Sequence, residues 1–171
     1  MKFAPYFICL AVAPLAAQSL PKIDPTWLKT DSGAAKVEVT LVAGLTGANG
    51  GMNLDGASAG GLTLTVPAKW TVVLHFTNND QVLPHSVMVI PATTPVPVTV
   101  AAPAFPHAVT HRAEQGLSSD THEDVQFVAE RPGSYLLFCA VPGHGAAGMW
   151  IHFNVSGTAH QPELVATPKA Q

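Results

Sequence analysis

Short stretches of alternating apolar and polar residues, separated by turn-forming residues, constrain the fold of this chain more than any other feature. The 171 residues include 14 glycines and 15 prolines, which favour turns over long helices. Alternation with a period of two is typical of strands that bury one face. We predict seven strands, over residues 36–42, 62–66, 70–76, 86–90, 124–129, 135–139 and 149–155. Such a series indicates an all-β fold, a β-sandwich or barrel.

The length and the strand pattern together define a single domain. A chain of 171 residues is long enough for one ordinary domain and too short for two. We place the domain at residues 36–155, after a linker or edge segment at 20–35 and before a polar tail at 156–171 that we expect to be flexible. The proline-rich stretch 91–106 predicts a long loop, and we predict a short helix over residues 108–116.

The first 19 residues predict a signal peptide for export. Lys2 precedes an uncharged apolar run from Phe3 to Ala17, which ends in small residues. The run is 15 residues long, which is short for a membrane span. We therefore expect cleavage and a periplasmic or otherwise extracytoplasmic protein. An uncleaved N-terminal anchor, which would associate with the membrane, is the alternative.

Removal of that segment, which contains Cys9, would leave Cys139 as the only cysteine. A single cysteine cannot form a disulfide within its chain, and a free thiol is a liability in an oxidising compartment unless something occupies it. His144 and Met149 follow at intervals of five residues, between the last two predicted strands. Glycines and a proline in this link can turn the chain so that thiolate, imidazole and thioether converge. His85, which ends a turn before a strand, is the best candidate for a second imidazole.

These ligand types select among metals. A thiolate, two imidazoles and a weak axial thioether form the ligand set of blue-copper electron-transfer sites. Zinc prefers a fourth strong ligand, and an iron–sulfur cluster needs more cysteines. A dinuclear copper site would need a second cysteine at residue 143, which is Gly143. The alternative is that Cys139 is a buried core thiol and that the neighbouring His and Met are incidental.

The residues that carry this chemistry resemble those of a known family. The C-x4-H-x4-M spacing, with VPGH at 141–144 and GMW at 148–150, is similar to that of sulfocyanins within the cupredoxins. The block at 51–78 and the LPH at 83–85 also resemble that family, and rusticyanin is more distantly similar. The resemblance covers roughly residues 36–155. It implies a cupredoxin-like Greek-key β-sandwich, one type 1 copper ion and electron carriage, with the metal ligands His85, Cys139, His144 and Met149.

Two residues depart from the family pattern. Ser86 stands where family members often have an asparagine that ties the two ligand loops together, and Ala140 stands where other cupredoxins often have a hydroxyl. We therefore expect fewer hydrogen bonds around the ligands and a changed redox potential. Serine at this position resembles rusticyanin, which implies a high potential.

The other histidines give weaker signals. His107 and His111 are four residues apart and could form a second metal site, but solvated positions in a loop are the favoured interpretation, because no third ligand stands nearby. We treat His122 in the same way. His75 and His152 lie within predicted strands whose alternate positions are apolar, so we expect them to face outward.

We predict a blue copper protein that carries one electron at a time between extracytoplasmic redox partners, such as a cytochrome or a terminal oxidase. Eight basic against eleven acidic residues leave no basic surface for nucleic acid. The sequence contains no serine-hydrolase, P-loop or dinucleotide motif, so we do not expect an enzyme. We also expect a monomer.

Two other functions are open at this point. A copper-dependent oxidoreductase related to multicopper oxidases or nitrite reductases would use His-x-His pairs, of which the sequence has none. A copper-delivery protein would use exposed segments rich in Met or His, and the chain has only four methionines.

Overall fold

The computed structural model of the protein describes residues 21–100 and 102–168. The predicted signal peptide at 1–19, with Cys9, lies outside the described residues. No helix in the described part is long and apolar enough to cross a membrane. The described residues form nine strands: β1 (Leu28–Asp31), β2 (Lys36–Ala43), β3 (Leu62–Pro67), β4 (Thr71–Asn78), β5 (Met88–Pro91), β6 (Thr121–Val128), β7 (Gly133–Phe138), β8 (Trp150–Ser156) and β9 (Glu163–Ala166).

The strands form two sheets. The first sheet has the order β1-β2-β4-β6, and the second has the order β5-β7-β8-β3-β9. β2 is parallel to β4 and β3 is parallel to β8, whereas the other neighbouring pairs are antiparallel. Two short 3₁₀ helices, Pro25–Trp27 and Ala48–Gly51, lie in the connections. The structure confirms the all-β sandwich that the strand pattern predicts.

The core lies between the two sheets. Alternate residues of β2 are buried, because one face of that strand meets the other sheet. Phe127 on β6 packs edge to face against Phe153 on β8, with ring centroids 5.9 Å apart. Since β6 and β8 belong to different sheets, this pair joins the two layers into one continuous core.

All seven predicted strands are present, with ends that differ from the prediction by no more than three residues. The sheets extend beyond the predicted domain at 36–155. β1 lies in the segment predicted as linker or edge, and β9 lies in the tail that we expected to be flexible. Both are edge strands, and neither contains a buried residue, so they lack the apolar alternation that marks a strand facing the core.

The predicted helix over 108–116 is wrong. Residues 111–115 form turns, and Val109 forms an isolated bridge with Met88. Thr110 N–H donates to the Val87 carbonyl at 3.0 Å, so this backbone is used to cover the edge of β5 instead of bonding within a helix. Arg112 has a φ of 51°, which interrupts any right-handed helix at that point.

Candidate metal centre

The loop between β7 and β8 brings three of the predicted ligands to one end of the sandwich. Cys139 follows the last residue of β7, and Met149 precedes the first residue of β8. Cys139 N–H donates to the Met149 carbonyl at 3.0 Å, and Met149 N–H donates to the His144 carbonyl at 3.0 Å. These two bonds close the neck of the loop, so the backbone fixes the three residues relative to one another.

Gly145 allows this loop to fold down onto the sheet. A Cβ atom at Gly145 would overlap the ring of Phe138. Phe138 is fully buried in a small apolar cluster with Leu136 and Met88, whereas Cys139 belongs to the main core. The ring therefore lies on the opposite face from Cys139, as strand alternation predicts, and it supports the loop from beneath.

His85 reaches the same point from the other side, between β4 and β5. Its backbone forms an antiparallel bridge with Leu117: His85 N–H donates to Leu117 O at 3.2 Å, and Leu117 N–H donates to His85 O at 2.7 Å. Gly116 lies against His85, and a Cβ atom there would come within 2.9 Å of His85 N. The His85 side chain is fully buried.

The side chains of His85, Cys139 and His144 converge. Cys139 Sγ lies 4.0 Å from His85 Nδ1 and 3.7 Å from His144 Nδ1, and the two Nδ1 atoms are 3.3 Å apart. These three residues are the one cluster of potential metal-binding His, Cys, Asp and Glu side chains within residues 21–100 and 102–168. Met149 is fully buried and belongs to the same core cluster as Cys139.

The donor set and its spacing fit one metal ion. Bonds of about 2.0 Å to nitrogen and about 2.3 Å to sulfur would separate three ligands spaced evenly around an ion by about 3.5–3.8 Å. The observed separations of 3.3, 3.7 and 4.0 Å bracket that value. A thiolate and two imidazoles, backed by a methionine, suit copper better than zinc or a hard cation.

Burial sets the protonation of the ligands. Burial raises the pKa of the Cys139 thiol, so a bound cation that compensates the negative charge would favour the thiolate. Burial also lowers the pKa values of His85 and His144, which keeps both imidazoles neutral. A neutral imidazole has a free lone pair, so both side chains are ready to bind a metal without first losing a proton.

Ser86, which stands where family members often have an asparagine, ties the two ligand loops together. Its Oγ accepts a hydrogen bond from Ala140 N–H at 3.0 Å. Its backbone N–H points to Cys139 Sγ at 3.5 Å, and its hydroxyl lies 3.8 Å from the same sulfur. Ser86 is fully buried, so no solvent competes for these bonds.

The structure also shows two polar residues near the ligands that the sequence analysis missed. Asn49 Nδ2 donates to the Ala147 carbonyl at 3.0 Å, which joins the glycine-rich segment after β2 to the loop that carries His144. Asp80 Oδ2 lies 3.3 Å from His85 Nε2. The sequence offers one signal for the Asp80–His85 contact, because Asp80 stands five residues before His85. That spacing is equally typical of a turn in which the two side chains do not meet.

His144 is the one ligand whose side chain reaches the surface. It is half-buried, whereas the other three ligands are fully buried. Exposed uncharged residues flank it in the loop and in the segment bonded to the loop, and we name them the His144 surface: Val98, Pro142, Ala146 and Ala147. Val98, which is 57% exposed, is held beside the loop because its carbonyl accepts from Gly143 N–H at 3.1 Å.

The remaining predicted histidine positions agree with their weaker interpretation. His75 and His152 lie at partly exposed positions of β4 and β8, so both face away from the core. His75 Nδ1 pairs with Asp124 Oδ1 at 2.8 Å on the outer face of the first sheet. His107 and His111 are exposed, and neither joins the metal-binding cluster in the described part of the chain.

Comparison with known proteins identifies related sequences and folds. The family model of the Sulfocyanin (SoxE) domain matches residues 25–166. The chain is 28% identical to Sulfocyanin of Sulfolobus acidocaldarius over 120 residues, which cover 66% of this chain and 60% of that protein. The matched part is thus less than two thirds of that relative.

Two solved structures share the fold. Rusticyanin from Thiobacillus ferrooxidans aligns with a TM-score of 0.51 at 19% identity, over 76% of this chain and 86% of that one. Reduced auracyanin from Roseiflexus castenholzii aligns with a TM-score of 0.51 at 20% identity, over 70% of this chain and 96% of that one. At these identities the likeness shows a common fold.

Proposed function

Because this chain belongs to the sulfocyanin family, we propose that it carries single electrons between redox proteins outside the cytoplasm. The protein is a blue copper cupredoxin, and its cofactor is one type 1 copper ion. The convergence of the His85, Cys139 and His144 donor atoms in one buried cluster is the observation that carries the proposal. His85, Cys139, His144 and Met149 would hold the ion.

The protein's contribution to this function is to hold its ligands still and keep water out. A bound copper ion supplies the one-electron chemistry, because it alternates between Cu(I) and Cu(II). The hydrogen bonds of Ser86 and Leu117 fix the loop that carries His85. The backbone bond between Cys139 and Met149 fixes the loop between β7 and β8, which carries the other three ligands. Because the ligands are held still, their geometry changes little between the two oxidation states, and less energy is needed to rearrange them in each electron transfer.

We propose that partners dock on the His144 surface. His144 is half-buried whereas the other three ligands are fully buried, so its side chain offers a route from the ligands to the outside. The His144 surface carries no charge, and small uncharged contacts suit encounters that must form and separate quickly. A cytochrome or a terminal oxidase is the kind of partner that we propose, and we propose that the carrier is a monomer.

The proposed place of action follows from the N-terminal sequence. Residues 1–19 have the pattern of a signal peptide, or of an anchor that would keep the carrier at the membrane. Either form would place the domain outside the cytoplasm. There the copper bound by Cys139 would also protect the thiol of that residue from oxidation.

Two observations oppose the other functions. The sequence contains no His-x-His pair of the kind that builds the additional sites of copper-dependent oxidoreductases. A copper-delivery protein must release its metal, whereas three of the four ligands here are fully buried and two of their loops are tied together by Ser86. We therefore favour a carrier that retains its copper over many cycles.

A stopped-flow experiment distinguishes these functions. Copper-loaded reduced protein is mixed with an oxidised cytochrome or with membranes that contain a terminal oxidase, and separately with a copper-free copper-binding protein. A carrier becomes oxidised when it is mixed with the redox partner, and it keeps its copper when it is mixed with the copper-free copper-binding protein. Transfer of copper without electron exchange would contradict the proposal.

A further inference from the structure

A carboxylate lies behind one of the buried ligands. Asp80 Oδ2 is 3.3 Å from His85 Nε2, while His85 Nδ1 faces Cys139 Sγ and His144 Nδ1. The two nitrogens of this imidazole therefore have separate roles, one toward the other ligands and one toward the acid. We propose that Asp80 is a positioning residue that fixes the tautomer of His85 and stabilises the oxidised metal centre.

The Asp80 carboxylate is held firmly enough to direct the imidazole. Its Oδ1 accepts from Val82 N–H at 2.8 Å and from Leu83 N–H at 3.0 Å, which leaves Oδ2 for His85. Asp80 N–H donates to Asn78 Oδ1 at 2.9 Å, and the fully buried Asn78 side chain also donates to the Leu83 carbonyl at 2.9 Å. The turn between β4 and His85 is thus built around this carboxylate.

Two glycines of the segment after β2 press against Asp80. A Cβ atom at Gly44 would lie 2.6 Å from Asp80 Cβ, and a Cβ atom at Gly51 would overlap Asp80 Oδ2. Both glycines have positive φ values, of 66° and 89°. Their close approach leaves the Asp80 side chain only 11% exposed, so the contact with His85 is largely shielded from water.

This arrangement has two chemical consequences. A carboxylate accepts hydrogen bonds, so His85 must carry its proton on Nε2 to bond Asp80, and this leaves the lone pair of Nδ1 free to bind a metal. A negative charge behind the imidazole also stabilises the more positive Cu(II) state relative to Cu(I). The inference rests on His85 being a metal ligand, as the proposed function does, but it makes no use of electron transfer.

The first test uses copper-free protein. Long-range ¹⁵N–¹H NMR correlation spectra of the imidazoles report which nitrogen of each histidine carries the proton. We expect the Nε2–H tautomer for His85 in the unsubstituted protein. In Asp80→Asn the amide can still accept from Val82 and Leu83 through Oδ1, but it presents NH₂ to His85, so we expect the Nδ1–H tautomer to gain population.

Asp124→Asn is the matched control. Asp124 pairs with His75 at 2.8 Å on the outer face of the first sheet, so the same change removes a carboxylate from a histidine that is no ligand. This variant should leave the His85 tautomer unchanged. An Nδ1–H tautomer of His85 in the unsubstituted protein would overturn the proposal, and this measurement needs no variant to fold.

The second test is the reduction potential of the copper-loaded proteins. Loss of the carboxylate should shift the Cu(II)/Cu(I) equilibrium toward Cu(I) by about tenfold, which is about 59 mV for a one-electron couple. Asp124→Asn should leave the potential where it is. If Asp80→Asn and Asp124→Asn had the same potential, Asp80 would not act on the metal centre. Neither result depends on the rate of exchange with a partner, so failure here would leave the carrier function intact.

Discussion

The hydroxyl of Ser86 should stabilise the folded protein, and the free energy of unfolding that is lost with this hydroxyl can be calculated from its contacts in the structure. In Ser86→Ala the Ala140 N–H loses the acceptor that lies 3.0 Å away. Ala140 is 1% exposed, so water cannot replace that acceptor. A buried donor without a partner costs about 1–3 kcal/mol. For a chain of this size, that corresponds to a fall in melting temperature of about 2–12 °C.

Thermal and urea unfolding of the copper-free protein measure this loss without any contribution from the metal. Ser134→Ala is the matched control, because Ser134 is exposed on β7 and exposed substitutions change stability by about 0.5 kcal/mol or less. The reasoning would be refuted if Ser86→Ala were as stable as Ser134→Ala. The Ser86 N–H to Cys139 Sγ contact uses the backbone and should survive in both variants.

Substitutions at three further positions test other parts of the account. Met149→Gln should lower the reduction potential, because an amide oxygen favours Cu(II) more than a thioether does. Met149→Leu should raise it, because the loss of a donor disfavours the more positive Cu(II) state. Cyclic voltammetry checks this order, and equal potentials in all three proteins would show that Met149 is not a ligand. Burial raises the pKa of Asp55 to about 7, so its proton stabilises the folded state and stability should fall as pH rises from about 4 to about 7. Asp55→Asn should flatten that slope in urea titrations at several pH values, and an unchanged slope would contradict the assignment. Ala146→Lys places a charge on the His144 surface and should slow exchange with the partner without altering the visible spectrum, whereas an unaltered rate would mean that electrons leave elsewhere.

The sequence was sufficient for the strands whose two faces differ. The strands that line the core alternate regularly, because one face packs against the opposite sheet, as in β2 and β8. β1 and β9 escaped prediction because neither contains a buried residue, so their sequences lack the alternation that a strand facing the core shows. The helix predicted over 108–116 failed because the backbone of that segment bonds to Val87 and Val89, which are tertiary partners that the local pattern does not show.

Three of the four ligands could be predicted because they are close together in the sequence. Cys139, His144 and Met149 belong to one short loop, so their spacing alone limits how far apart they can lie. Their supporting residues come from distant segments: Asn49 reaches the His144 loop across 98 residues, and Asp80 is positioned partly by Gly44 and Gly51. Such contacts depend on how strands that are distant in the sequence are brought together, which a local spacing does not show.

The visible spectrum of the Cys139→Ala protein tests the central claim most directly. Cys139 Sγ is the one thiol sulfur of the described residues that approaches His85 and His144. The unsubstituted protein with Cu(II) should be intensely blue through a thiolate-to-copper band, and ascorbate should bleach it by reduction to Cu(I). The Cys139→Ala protein should lack this band at any excess of Cu(II). A band of undiminished strength in that variant would contradict the copper site described here.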